Sequence, residues 1–109
     1  MPRYALLADH TPDICPASNA KTRARAMEGL SPENAEKVAQ SVGMQILFGP
    51  MHLDPSHRTI AIVEAPAIEA VTKWVMETGM FQWNTVEVCP VTPIEEMMPV
   101  IMQIPPIFD

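Results

Sequence analysis

Arg3 to Asp9 alternates Tyr4, Leu6 and Ala8 against Ala5 and Leu7. Both faces of the segment are therefore apolar, the pattern of a central strand covered on two sides. Thr11-Pro12-Asp13-Ile14-Cys15-Pro16 follows; its two close prolines exclude a regular element and predict a constrained loop leaving that strand. Helical propensity returns from about Ala17 to Glu28 and stops at Gly29. Ser31-Pro32-Glu33 then reads as a helix start: a hydroxyl that accepts from a free amide, a proline at the first helical position, and an acid at the positive end of the dipole. Ala35, Val38, Ala39 and Val42 recur at the spacing of one helical face, and Gly43 suits its close.

Met44 to Phe48 predicts a short strand ended by Gly49-Pro50, with a turn-rich stretch from Met51 to Ser56 leading to a hairpin partner over Arg58 to Glu64. A further helix is expected over Pro66 to Thr78, with Ile68, Val71, Trp74, Val75 and Thr78 on one stripe, Glu69 and Lys73 paired outside, and Gly79 as the stop. Phe81 to Val88 supplies the last strand. The order β-α(α)-β-β-α-β predicts an α+β, ferredoxin-like domain with helices on one face of a four-stranded antiparallel sheet, leaving the other face in need of a cover.

At 109 residues and 48% hydrophobic content the chain reads as one globular domain over residues 1–90. Residues 91–109 form a tail with four prolines and the apolar residues Ile94, Met97, Met98, Val100, Ile101, Met102, Ile104, Ile107 and Phe108. That is too apolar for a solvated tail, and it is expected to dock on its own sheet or on a second subunit. Thirteen acidic against seven basic side chains give a net charge of −6, against a nucleic-acid partner. The one basic cluster, Lys21, Arg23 and Arg25, reads as a solvated helix face. No apolar run reaches the ~20 residues that cross a bilayer, so no membrane partner and a cytoplasmic location are expected. Cys15 and Cys89, each followed by proline, are then expected as thiols.

The candidate chemistry lies in His10, Cys15, His52 and His57, which include every histidine of the chain. In the predicted topology the end of the first strand, the end of the second, and the starts of the third and fourth meet at one rim. His10, His52 and His57 fall at the first three places and Gln82-Trp83-Asn84 near the last. Imidazoles with a thiolate suit zinc, copper or iron, and three protein ligands with an open position make a catalytic centre. There is no Cys-x-x-Cys pair and no helical His-x-x-x-His, and the competing use of these residues is ordinary: a polar hairpin for His52 and His57, apolar packing for Cys15. His10 extends the Tyr4-Leu6-Ala8 face, which makes it the histidine least suited to an incidental place.

With these residues in view, the chain resembles the dimeric α/β-barrel superfamily, whose members include muconolactone isomerase-like, EthD-like and antibiotic-biosynthesis-monooxygenase-like proteins. Its His10-Thr11-Pro12-Asp13-Ile14-Cys15-Pro16, Pro55-Ser56-His57-Arg58 and Gln82-Trp83-Asn84-Thr85 segments also look like those of a small family of this fold. The resemblance implies two sheets face to face in a homodimer or higher homo-oligomer, and it does not choose a reaction. Three functions are open: a metal-binding protein or metalloenzyme with His10, Cys15, His57 and optionally His52 as ligands; a cofactor-free isomerase or oxygenase acting on a small molecule; and a non-catalytic assembly or ligand-carrying module. In the second, His10 or His57 is the base, Asn84 donates to an oxyanion and Trp83 is an apolar wall, although core packing is an equal use for that tryptophan.

Overall fold

The computed structural model describes residues 1–108. Strands β1 (Arg3–Asp9), β2 (Gln45–Leu53), β3 (Arg58–Glu64) and β4 (Thr85–Val91) form one sheet in the order β2-β3-β1-β4, every pair antiparallel. Helices α1 (Ala20–Gly29) and α2 (Pro32–Ser41) fill the first crossover, and α3 (Ile68–Thr78) the second. This is the expected ferredoxin-like order, with β1 and β3 central. The short helix α4 (Ile94–Ile101) belongs to the tail.

The core lies between the helices and one face of the sheet. Tyr4, Leu6 and Ala8 of β1 and Ala61 and Val63 of β3 meet Ala35, Val38 and Ala39 of α2 and Val71, Trp74 and Val75 of α3. Trp74 is 1% exposed, and its indole N–H donates to the Ala35 carbonyl at 3.0 Å, which ties α3 to α2. Gly29 at the end of α1 lies against the Thr78 carbonyl, where any Cβ would clash with backbone.

Five local expectations are corrected. α1 starts at Ala20, three residues later than propensity suggests, because the Asn19 side chain accepts from the Thr22 amide and caps it there. β2 does not end at Gly49-Pro50 but runs on to Leu53 through two irregularities of register. Gly49 permits this: its φ of 79° is the left-handed region, and a Cβ would lie 2.6 Å from the Ile60 carbonyl oxygen. Phe81 is not in a strand; Met80–Gln82 is a 3-10 turn, and β4 begins at Thr85. On α3, Lys73 pairs with Glu77 at 3.9 Å, one turn on, while Ile68, expected on the buried stripe, is 39% exposed.

The opposite sheet face has no cover among the described residues. Ladder neighbours and the period of two place Ala5, Leu7, Phe48, Met51, Leu53, Ile60 and Ile62 on it, with the Arg3–Glu64 ion pair at one end. Phe48 and Met51 are 47% and 52% exposed. The tail does not cover them, since Ile94, Met102, Ile107 and Phe108 are themselves exposed. The radius of gyration is 16.5 Å, where a compact chain of this length has about 13 Å.

Candidate metal centre

The site grows out of the sheet ladder. β1 and β3 run in register to Asp9 opposite Arg58, and the His10 amide donates to the His57 carbonyl at 3.1 Å, which carries the pairing one step further. Parity then puts both imidazoles on the helix side, continuing the rows Tyr4-Leu6-Ala8 and Val63-Ala61-Thr59. Thr85 pairs with Asp9, so Asn84 flanks His10 from the β4 side. Asn84, His10 and His57 thus stand in a row across the end of three strands.

Cys15 arrives from the loop after β1. Pro12–Ile14 forms a 3-10 turn, and the Cys15 amide donates to the Pro12 carbonyl at 3.3 Å. The amides of Ser18 and Asn19 donate back to the Cys15 carbonyl at 2.9 and 2.8 Å. Arg23 straps the loop from α1, its guanidinium donating to the carbonyls of Pro16 and Ala17 at 2.9 and 2.8 Å. The Thr11 hydroxyl bonds the Asp13 carboxylate, the foremost cause holding that acid below its usual range. The sulfur accepts from the Ala17 amide at 3.4 Å and is otherwise free to face the histidines.

One ligand-type atom from each of His10, Cys15 and His57 lies within 4.8 Å of the others. Bonds of about 2.0–2.1 Å to nitrogen and 2.3 Å to sulfur put tetrahedral ligand atoms roughly 3.3–3.6 Å apart, so about an ångström of closure completes the geometry. The two rings meet edge to face, with centroids 5.3 Å apart and planes at 62°. His10 Nε2 and His57 Nδ1 are both buried without a hydrogen-bond partner among the described residues. A buried polar atom left unpaired costs about 1–3 kcal/mol, and here two rings in edge contact each carry one.

The remaining candidates sit elsewhere or act differently. His52 pairs with Thr59 on β3, and its Nδ1 bonds Asp54 Oδ1 at 2.5 Å with half of the side chain exposed. It stands apart from the three-residue cluster because a strand that continues past Pro50 carries it down the hairpin to a solvated acid. Asn84 turns its oxygen to His10 Nδ1 at 2.9 Å and donates from Nδ2 to the Met80 carbonyl at 3.0 Å. The side it offers His10 is an acceptor, whereas the oxyanion role needs a donor. Trp83 is 6% exposed and packs in the core, the ordinary use weighed for it. Arg23 was legible only as a basic helix face; its bonds to two loop carbonyls depend on a turn that sequence spacing does not reveal.

No protein-family model matches the chain, and no curated protein matches it in sequence. Among solved structures it is similar to a dimeric ferredoxin-like protein from an uncultured marine organism, at 10% identity and a TM-score of 0.45 over 84% of this chain and 93% of that one.

Proposed function

We propose that this chain is a transition-metal-binding protein, with His10 Nε2, His57 Nδ1 and Cys15 Sγ as its ligands. The carrying observation is that two imidazoles, each with one buried nitrogen without a partner among the described residues, and one thiol bring ligand-type atoms within 4.8 Å of one another. Protein interiors rarely leave one such atom unpaired, and a cation is the partner that satisfies both nitrogens and the sulfur together. Two nitrogens and one sulfur suit zinc first and copper or iron next. When bound, such an ion supplies Lewis-acid chemistry at any position the three ligands leave open. The chain's own part is to hold the donors: the β1–β3 ladder sets the imidazoles, and the Arg23 strap sets the sulfur.

Metal analysis of protein purified without an affinity tag should give about one zinc, copper or iron ion per chain. His10→Ala and His57→Ala should each lose it, and labelling of Cys15 should rise on chelation, because a metal-bound thiolate is shielded. Metal-free protein that takes up none of these ions, with Cys15 labelling unchanged by chelator, overturns the reading.

The uncovered sheet face supports self-association as a second property. Leu7, Phe48, Met51, Leu53, Ile60 and Ile62 form a contiguous apolar surface with charge at its margins, at the two strand ends and at Glu87 on edge strand β4, the composition of an interface centre. A homodimer with the two open faces stacked, the dimeric α/β-barrel arrangement, removes it from water.

A further inference from the structure

We infer that Asn84 is a positioning residue that locks His10 in the Nδ1–H tautomer, so that Nε2 is presented as a bare lone pair before any ion arrives. This rests on the metal-binding reading for its purpose, but not for its geometry.

The argument starts at Met80. Its carbonyl receives both the Asn84 backbone amide at 3.1 Å and the Asn84 side-chain nitrogen at 3.0 Å. A carbonyl only accepts, so the side-chain atom that meets it must be the NH2 group, and the amide cannot be flipped. The oxygen of Asn84 therefore points the other way, at His10 Nδ1, 2.9 Å off. A carboxamide oxygen also only accepts, so Nδ1 must carry a proton. A neutral imidazole with its proton on Nδ1 has its lone pair on Nε2, the atom found buried and unpartnered. For a neutral ring, the chain of assignments runs from a fixed backbone carbonyl to a bare Nε2.

This is the work that a carboxylate or carbonyl does behind many metal-bound histidines, orienting the ring and fixing the proton on its far nitrogen. Here a carboxamide does it, anchored to the 3-10 turn that α3 runs into. Sequence reading gave Asn84 a donor's role toward substrate; the geometry gives it an acceptor's role toward a ligand.

Long-range proton–nitrogen correlation spectra of the metal-free, 15N-labelled full chain, taken at a pH where His10 is neutral, read the tautomer directly. We expect a protonated Nδ1 and a bare Nε2 at His10. Asn84→Ala should let His10 move to the Nε2–H form and should weaken cobalt(II) or zinc binding by about 10- to 100-fold, the usual cost of losing an outer partner. Asn84→Asp loses the same donor to Met80 but keeps an acceptor at His10, so it should retain the Nδ1–H tautomer and bind at least as tightly as Asn84→Ala, with most of the loss restored. A wild-type His10 with its proton on Nε2, or an Asn84→Asp variant with the Nε2–H form, overturns the inference even if Asn84→Ala fails to fold. Wild-type protein with the expected tautomer but no uptake of either ion upholds the orienting role of Asn84 and instead defeats the metal-binding reading.

Discussion

The two cysteines share a dipeptide, Cys-Pro, and have opposite surroundings. Cys15-Pro16 lies in a loop tied by four backbone bonds and an arginine strap, with a buried sulfur turned toward two histidines. Cys89-Pro90 lies in edge strand β4 on the open sheet face, its thiol 3.4 Å from Glu87 Oε1. The carboxylate, first as a hydrogen-bond partner and last as a nearby like charge, with slight desolvation between, raises that thiol above its ordinary range. The difference teaches that the local sequence fixes the backbone at each cysteine while the sheet face decides its chemistry. One face ends in two imidazoles and a thiol drawn together, and the other is an apolar surface with quiet chemistry at its margin.

The largest contrast between the faces should appear in stability. Trp74→Ala, on the covered side, should cost about 3–5 kcal/mol in urea unfolding, whereas Leu7→Ala, whose side chain already meets water, should stay within about 1 kcal/mol for the isolated chain. Equal losses would mean that the open face is as tightly packed as the core. Next comes association: Ile60→Asp should leave the circular-dichroism spectrum intact and weaken self-association at least tenfold, about 1.4 kcal/mol, in sedimentation velocity. An unchanged sedimentation coefficient at every concentration, for wild type and variant alike, removes the stacked dimer.

A smaller effect with an unusual sign is expected at the site. His57→Leu replaces a ring bearing an unpaired nitrogen by an apolar side chain, so in chelator it should be as stable as wild type or about 1 kcal/mol more stable. With zinc present the order should invert, because only wild type gains binding free energy. Wild type that remains the more stable of the two in chelator would show that the imidazole nitrogen is satisfied after all. Last, Glu87→Gln should speed alkylation of Cys89 a few-fold. A raised thiol has less thiolate at a given pH, so removing the cause shifts the rate profile toward lower pH; an unmoved profile would mean that the Glu87 contact does not persist in solution.

Much of this was readable before the structure, and the reasons differ by element. β1, β3 and α3 announce themselves because their burial follows a simple period. The meeting of His10 and His57 follows from strand order alone, since antiparallel central neighbours must bring the end of one strand to the start of the other. For β2 the sequence predicts too early an end, because Gly49-Pro50 is a stop signal in most settings, and only the pairing partner shows that the chain bulges there and resumes. The longer strand also moves His52, whose place depends on how far β2 runs. The role of Asn84 was out of reach, because it rests on the Met80 carbonyl and no spacing rule reports the direction of a carboxamide.

Pro50 and Pro90 stand on the two outer strands, β2 and β4, and neither can offer an N–H to a further strand. Lateral growth, in which each copy adds its edge to the next, is open-ended and leads to fibres. Stacking of two open faces about a twofold axis is finite, because each copy has one such face and spends it on the other. The prolines thus disfavour the open-ended route, and the stacked pair proposed above is the arrangement that closes at two.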